Sequence, residues 1–417
     1  MQNRKTQLTQ LLFVLVCAQC ALSQYIVHTN GSGEGWVDAI NNDGIAAGST
    51  TAIGQYFMWT PKSGNIYIGG ASPGNGVGGN AGVSDDGTVV SGTMFNAKTS
   101  KYEAGLYTVA IDSWMPLGGI GGHSDSSISS GWNISGDGGT IVGLGWEDAG
   151  TAYATTWTSN GESTSLGTTI LGLSTRANAA NFDGTVVAGW QDANIRQGAV
   201  WIGGVQERIY LPNGSPASEA SSISNDGVWI SGMGEGAFWD DAETYRYNTI
   251  FNFCEIIPNL TTGAGTYMAG AGMSHDGTTI VGGTWDFGVP AYFGNAFIWR
   301  EGIGTMHLHE YLDEVGVSRP AGFHFAFASC ISPDGSWIAG WGNFGNNIGD
   351  TVSFFAHIPT ESSCHEDIDE SGAVDVGDIL IVIDQWGLQN SEADLTGDGL
   401  VNVSDLLEVV GNWGPCE

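Results

Sequence analysis

"AINNDGIAAG" (Ala39–Gly48) decides how most of this chain is read, because close variants of it return six more times. They are "GVSDDGTVVSG" (82–92), "NISGDGGTIVG" (133–143), "AANFDGTVVAG" (179–189), "SISNDGVWISG" (222–232), "GMSHDGTTIVG" (272–282) and "CISPDGSWIAG" (330–340). Each has a short apolar stretch, an Asp-Gly pair, and an apolar alternation ending in Gly. Asp-Gly between two β-type runs signals a hairpin, because Gly accepts the positive φ that a tight turn requires. The turn aspartates are Asp43, Asp86, Asp137, Asp183, Asp226, Asp276 and Asp334.

A second element follows each hairpin, with small or apolar residues leading to an aromatic. These are "YFMWT" (56–60), "AGLYT" (104–108), "TTWTS" (155–159), "GAVWI" (198–202), "GAFWD" (236–240), "AFIWR" (296–300) and "SFFAH" (353–357). A fourth short stretch, such as "IYIGG" (66–70) or "MPLGG" (115–119), comes after most of them. Three to four strands per unit at a spacing of roughly 45 residues fit four-stranded propeller blades. The expectation is an all-β, seven-bladed β-propeller over residues 24–360, with a β-solenoid as the alternative. The last unit lacks a fourth strand of its own, and "QYIVHTN" (24–30) is expected to supply it. Helical periodicity is confined mainly to "MHLHEYLDEVG" (306–316).

The pattern Ala-x-x-Ile-Asn-x-x-Gly…Gly…Phe-x-Trp, seen in Ala39–Gly48 and Phe57-Met58-Trp59-Thr60, resembles the HAF family of extracellular repeats. "LHEYLDEVGV" leading into "FAFASCISPDGSWIAGWG" is similar to the closing unit of such proteins. The resemblance covers most of residues 37–357 and implies architecture, not an activity.

Bulk properties narrow the function classes. The chain has 417 residues, 66 of them Gly, with 41% apolar residues and 16 Trp, enough to bury a sizeable core. Arg4 and Lys5, the apolar run "LLFVLVCAQCAL" and Ala21-Leu22-Ser23 read as a secretory signal over residues 1–23. Its loss removes two bases and no acid, taking the formal charge from −33 to −35. Such a chain is repelled by nucleic acid and anionic lipid, and no segment is long and apolar enough to span a membrane. A secreted, extracellular or cell-surface-associated protein is expected. Four cysteines remain, suggesting two disulfides: Cys364–Cys416, which brackets the C-terminal segment, and Cys254–Cys330 by elimination.

The segment 361–417 carries two copies of an acidic loop followed by an apolar run, "DIDESGAVDVGDILIVIDQWG" (367–387) and "DLTGDGLVNVSDLLEVVGNWG" (394–414). On a twelve-residue calcium loop the first copy places Asp367, Asp369, Ser371, the Ala373 carbonyl, Asp375 and Asp378 at the ligand positions. The second places Asp394, Thr396, Asp398, the Leu400 carbonyl, Asn402 and Asp405 there. Hard oxygen donors at alternate positions around a Gly turn suit Ca²⁺, and two ions are expected. This segment resembles a type I dockerin, a small α-helical calcium-binding domain, because each loop ends in Asp rather than Glu. The resemblance implies docking to a cohesin-like partner. Thr396 departs from the usual Asn or Asp, and Val376-Gly377 and Val403-Ser404 stand where dockerins carry partner-specifying residues.

No catalytic motif stands out. His307, His309 and Glu310 could hold a metal, but a polar helix explains them more simply, since no further ligand is placed by spacing. Turn roles explain the Asp-Gly aspartates better than a ring of carboxylates does, and core packing explains the repeated Trp better than sugar stacking. The expected function is a non-catalytic propeller binding protein or glycan on one face, tethered through the calcium-binding tail. The alternative is a dockerin-bearing enzyme of polysaccharide catabolism, a glycoside hydrolase or lyase. Two close, desolvated carboxylates in a propeller cleft would favour the alternative.

Overall fold

The computed structural model describes residues 27–29, 35–50, 54–71, 78–234, 242–260, 265–286, 288–345, 351–358, 366–369, 371, 373–389, 391, 393–397 and 399–415. The chain divides into two compact units between Ile358 and Pro359.

The larger unit is built from antiparallel four-strand meanders. In the first, Trp36–Ile40, Ala46–Thr50, Gln55–Thr60 and Gly64–Gly69 pair in order. Five such sheets stand alone; the other eight strands, from Glu219 to His307, form one continuous sheet. That corrects the expectation of seven separate blades. A single pairing, Met233 with Ala269, joins the two meanders 219–257 and 266–307. The last sheet takes His324–Ile331, Trp337–Asn343 and Thr351–His357, and is completed by His28–Thr29 from the other end of the unit. His28 pairs with Phe355 and Thr29 with Phe354. The expected closing segment therefore contributes a strand, and Val27 beside it is buried.

Six of the seven Asp-Gly turns share one construction. In the second copy the Ser84 hydroxyl donates to Asp86 Oδ1 at 2.6 Å, which also accepts the Thr88 N–H at 3.0 Å. The Gly87 N–H donates to the Ser84 carbonyl, and Gly87 sits at φ +66°, a conformation that costs Gly little. Ser135/Asp137, Asn181/Asp183, Ser224/Asp226, Ser274/Asp276 and Ser332/Asp334 repeat the side-chain pair.

These turns also bond to one another. Asp85 N–H donates to Gly136 O, Asp137 to Phe182, Phe182 to Asn225, Asn225 to His275 and His275 to Pro333, all at 2.7–3.1 Å. Asp334 N–H reaches Asn42 Oδ1 and Asn41 Nδ2 reaches Asp85 O, each at 3.0 Å, which completes a closed circuit of turns.

The Gly ending six of the seven repeats has a steric cause in the strand opposite. The first strand of six meanders carries a β-bulge, at 37/39, 131/133, 177/179, 220/222, 270/272 and 328/330. A Cβ on Gly189 would lie 1.9 Å from the Arg176 carbonyl. On Gly48, Gly143, Gly232, Gly282 or Gly340 it would lie 2.0–2.2 Å from the matching first-strand carbonyl.

The core lies between consecutive meanders. Trp59, Trp157, Trp201 and Trp299 are buried there, as core packing requires, and Trp59 stacks on Phe355 with centroids 3.8 Å apart. "GAFWD" was expected to be the third strand of the fifth meander, but that strand is Thr244–Asn248, with Tyr245 and Tyr247 in the core. Residues 236–240 lie outside the described residues. The helix Leu308–Glu314 buries Leu308, Tyr311 and Leu312; His307 precedes it, and its N–H donates to the Glu310 carboxylate. Cys254 and Cys330 are both free, which corrects the expected Cys254–Cys330 bridge. Cys254 lies on an outermost strand, Phe253–Ile257, and Cys330 on an innermost one, His324–Ile331. Cys364 and Cys416 lie outside the described residues.

In the smaller unit the helices Val376–Asp384 and Val403–Gly411 each follow an acidic loop, and Ala373–Val374 pairs with Gly414–Pro415. Val374, Val382, Ala393, Val401 and Val409 form its buried core.

Candidate functional site

The bulges aim side chains into a central channel. The unpaired residue at each bulge stands five positions before a turn aspartate: Asp38, Trp132, Asn178, Ser221, Ala271 and Ser329. Bulges re-aim a side chain by inserting one residue against the ladder. All six line a chamber of about 210 Å³, with Asn80, Asn133, Arg176, Glu219, Phe327 and Trp341. A narrower cavity of about 120 Å³ is lined by Asp38 and Ser329 as well, and extends to Asp85, Gly136, Asn225 and Pro333 of the turn circuit. There Asn225 Nδ2 donates to Asp85 Oδ2 at 3.3 Å, bridging residues 140 positions apart. Burial raises the Asp85 carboxyl above the usual range, and the Asn225 bond partly offsets this.

Asp38 is the chamber's singular group. Its Oδ2 accepts the Ala81 N–H at 3.0 Å, and among the described residues no cationic side chain pairs with it. Removal from bulk water pushes its pKa up to about 7, against the opposing effect of the Ala81 bond. Part of its surface remains open to the channel.

Across the chamber, Glu219 is held by two cations. Arg176 Nη2 lies 2.7 Å from Oε1 and Arg196 Nη1 3.2 Å from Oε2. Asn178 accepts from Arg176 Nε and donates to Glu219 Oε1. The Arg176 guanidinium sits 3.6 Å over Trp132 and 5.0 Å over Trp190, and Arg196 lies 4.2 Å over Trp190. Desolvation lowers the Arg176 pKa to about 10 despite Glu219. On another wall Trp341 stacks on Phe327 at 4.6 Å and meets Trp36 edge-on at 4.7 Å. The sequence reading missed this whole site; its signal was the position five before each turn aspartate.

Six of the turn aspartates are bonded within their own turns. Backbone and hydroxyl donors within each turn hold Asp86 and Asp183 below the usual carboxylate range.

The smaller unit presents a second site. Ligand oxygens of Asp367, Asp369 and Asp378 lie within 4.8 Å of one another. Asp378 Oδ1 accepts the N–H groups of Ile368 and Asp369, and Oδ2 that of Asp375. Asp405 likewise accepts from Thr396 and Asn402, while Asp394 Oδ1 is buried with no hydrogen-bond partner. Asp375 and Asn402 cap the two helices through Gly377 and Ser404. The Ser371 hydroxyl donates to the Ala373 carbonyl, Asn402 Nδ2 donates to the Leu400 carbonyl, and Asp398 lies outside the described residues.

The larger unit is a β-propeller, and solved propellers are similar to it. The β-propeller domain of the Trilobed protease from Pyrococcus furiosus matches at 10% identity and TM-score 0.48, over 79% of this chain and 95% of that one. An oligogalacturonate lyase from Vibrio parahaemolyticus matches at 10% identity and TM-score 0.48, over 81% and 97%. TolB from Acinetobacter baumannii matches at 14% identity and TM-score 0.42; the chain covers 64% of its length and 67% of its own. These likenesses concern the fold. No family model and no curated protein matches the chain.

Proposed function

We propose that this is a secreted, non-catalytic propeller that binds a glycan at its channel mouth and is attached through a calcium-binding tail to an extracellular assembly. The chamber carries the first part. Trp132, Phe327 and Trp341 give apolar ring surfaces, while Asn80, Asn133 and Asp38 offer polar atoms to hydroxyl groups. A volume of about 210 Å³ suits one sugar ring, not an oligosaccharide. Binding of the full chain to a glycan array should be lost in Trp132→Ala; an unchanged profile would reject the chamber as the binding site. The channel is ringed by the first strands of all seven repeats, and we count the eight-stranded sheet as two adjacent blades of a seven-bladed, HAF-like ring.

A catalytic reading rests on Asp38, whose pKa of about 7 suits a general acid or base. Glu219, engaged by two arginines, is poorly placed to be its partner. Hydrolysis or lyase cleavage of a polysaccharide by the full chain, abolished in Asp38→Asn, would favour that reading.

For the tail we propose a dockerin-like module with two Ca²⁺ ions, secreted after removal of residues 1–23 and closed by Cys364–Cys416. The clustered oxygens of Asp367, Asp369 and Asp378 and the orphaned Asp394 Oδ1 fit hard-cation ligation. Ser371, the Ala373 carbonyl and Asp375 complete the first set; Thr396, Asp398, the Leu400 carbonyl, Asn402 and Asp405 complete the second. Val376, Leu380, Ile383 and Trp386 are 49–59% exposed, and their counterparts Val403, Leu407, Val410 and Trp413 are 51–62% exposed. Two such apolar stripes support a cohesin-like partner. The first loop has more carboxylates, so Asp367→Ala should weaken calcium binding more than Asp394→Ala in calorimetric titration of the full chain. Equal losses, or no binding at millimolar calcium, would reject the assignment.

A further inference from the structure

We infer that the channel chamber selects a protonated amine on a sugar ring, with Asp38 as the carboxylate that receives it. This rests on the glycan reading above and names the ligand class. Three observations carry it. First, the bulge at 37/39 delivers Asp38 into the channel with one oxygen bonded to Ala81 N–H, yet with no cationic partner among the described residues. A carboxylate moved from water without a counter-ion gains most from an incoming cation.

Second, the chamber already accommodates positive charge. Arg176 lies 3.6 Å over Trp132, and the exposed faces of aromatic rings attract cations. Arg176 and Arg196 engage Glu219, and Asn225 bonds to Asp85 in the adjoining cavity, which leaves Asp38 as the chamber carboxylate with no side-chain partner among the described residues. Third, the chain's net charge of −33 attracts cations and repels uronates or sulfated sugars. The amides of Asn80 and Asn133 on the chamber wall offer further polar contacts to the hydroxyl groups of a polyhydroxylated amine, which an aliphatic stem lacks.

Ionised Asp38 is the binding form, so affinity follows its titration. The other ionisable groups facing it or lining the channel are Arg176, Glu219, Asp85, Tyr56 and Cys330. Burial pushes the Tyr56 hydroxyl and the Cys330 thiol upward, away from the acidic range.

The test is calorimetry on the full chain with glucosamine, N-acetylglucosamine, galacturonate and Nα-acetyl-lysine amide, at pH 7 and pH 5. Glucosamine should bind at least tenfold more tightly than N-acetylglucosamine at pH 7. That preference should fall about tenfold or more at pH 5. Asp38→Asn, shown to be folded by its melting curve, should bind both sugars alike at either pH. Equal wild-type binding of glucosamine and N-acetylglucosamine would overturn the inference while leaving the glycan reading intact. Binding of the lysine derivative as tightly as glucosamine would overturn the sugar assignment. Binding of none of the four, with no signal on a glycan array, would overturn both readings.

Discussion

Asp38 owes its properties to the one residue by which its strand outruns its neighbour. The bulge turns it into the channel, and desolvation there raises its pKa to about 7 from an ordinary 3.8. A carboxyl raised in the folded state favours folding while protonated, and its contribution is lost as pH rises from about 4 through 7. The turn aspartates Asp86 and Asp183 have the opposite sign: lowered in the folded state, they stabilise above the ordinary carboxylate range and lose this as pH falls below it. Asp38→Asn should therefore raise the melting temperature by several degrees at pH 8 and change it little at pH 4. An equal shift at both values would mean that Asp38 is not desolvated. The turn aspartates were legible in the sequence, because Asp-Gly has one dominant use between β-type runs. Asp38 was not: its place five residues before the turn aspartate can be read in "VDAINNDG", but the bulge that turns it into the channel cannot.

The hairpin is the element that repeats, and its final Gly is set by the bulge opposite. Gly189→Ala would press a Cβ against the Arg176 carbonyl at 1.9 Å, and backbone yields less readily than a side chain. We expect a loss of about 1–3 kcal/mol, the usual cost of overpacking. The smaller unit should keep its own stability, since it is a separate compact unit, and a chemical-denaturation series would measure both transitions. An unchanged midpoint would show that the strand slides to make room. Strand order within each meander was readable from the aromatic elements, except where Trp239 drew attention to residues 236–240. There the motif matched, but Thr244–Asn248 supplies the third strand, because Tyr245 and Tyr247 fill the same core. In the tail, the loops were legible but the buried faces were not. Leu380, Ile383 and Trp386 of the first apolar run are exposed, while Val382 and Val409 are buried.

At the scale of the larger unit, the ring closes through a short strand pairing added to a packed seam, where Trp59 and Val37 meet Trp337 and Phe355. Two residues, His28 and Thr29, complete the last sheet, and Val27 beside them is buried among Leu308, Phe354 and their neighbours. Burial of one Val is worth about 1.5–3 kcal/mol. A chain lacking residues 24–30 should melt about 2–4 °C lower by calorimetry, at roughly 1.5 °C per kcal/mol for a unit of this size. An unchanged melting point would mean that the other seam contacts suffice. The need for a borrowed strand was visible in the sequence, since the last repeat stops one strand short. The circuit of turn-to-turn bonds was not, because it depends on which backbone groups face the axis. The same seam has a mechanical meaning. Thr351–His357 is the last strand before the tail, held on one side by seven pairings to Trp337–Asn343 and on the other by two to His28–Thr29. A pull exerted from residue 359 onward enters the ring through this strand. The short N-terminal partner is the first rung to yield, so the strand that closes the ring also sets the load at which it opens.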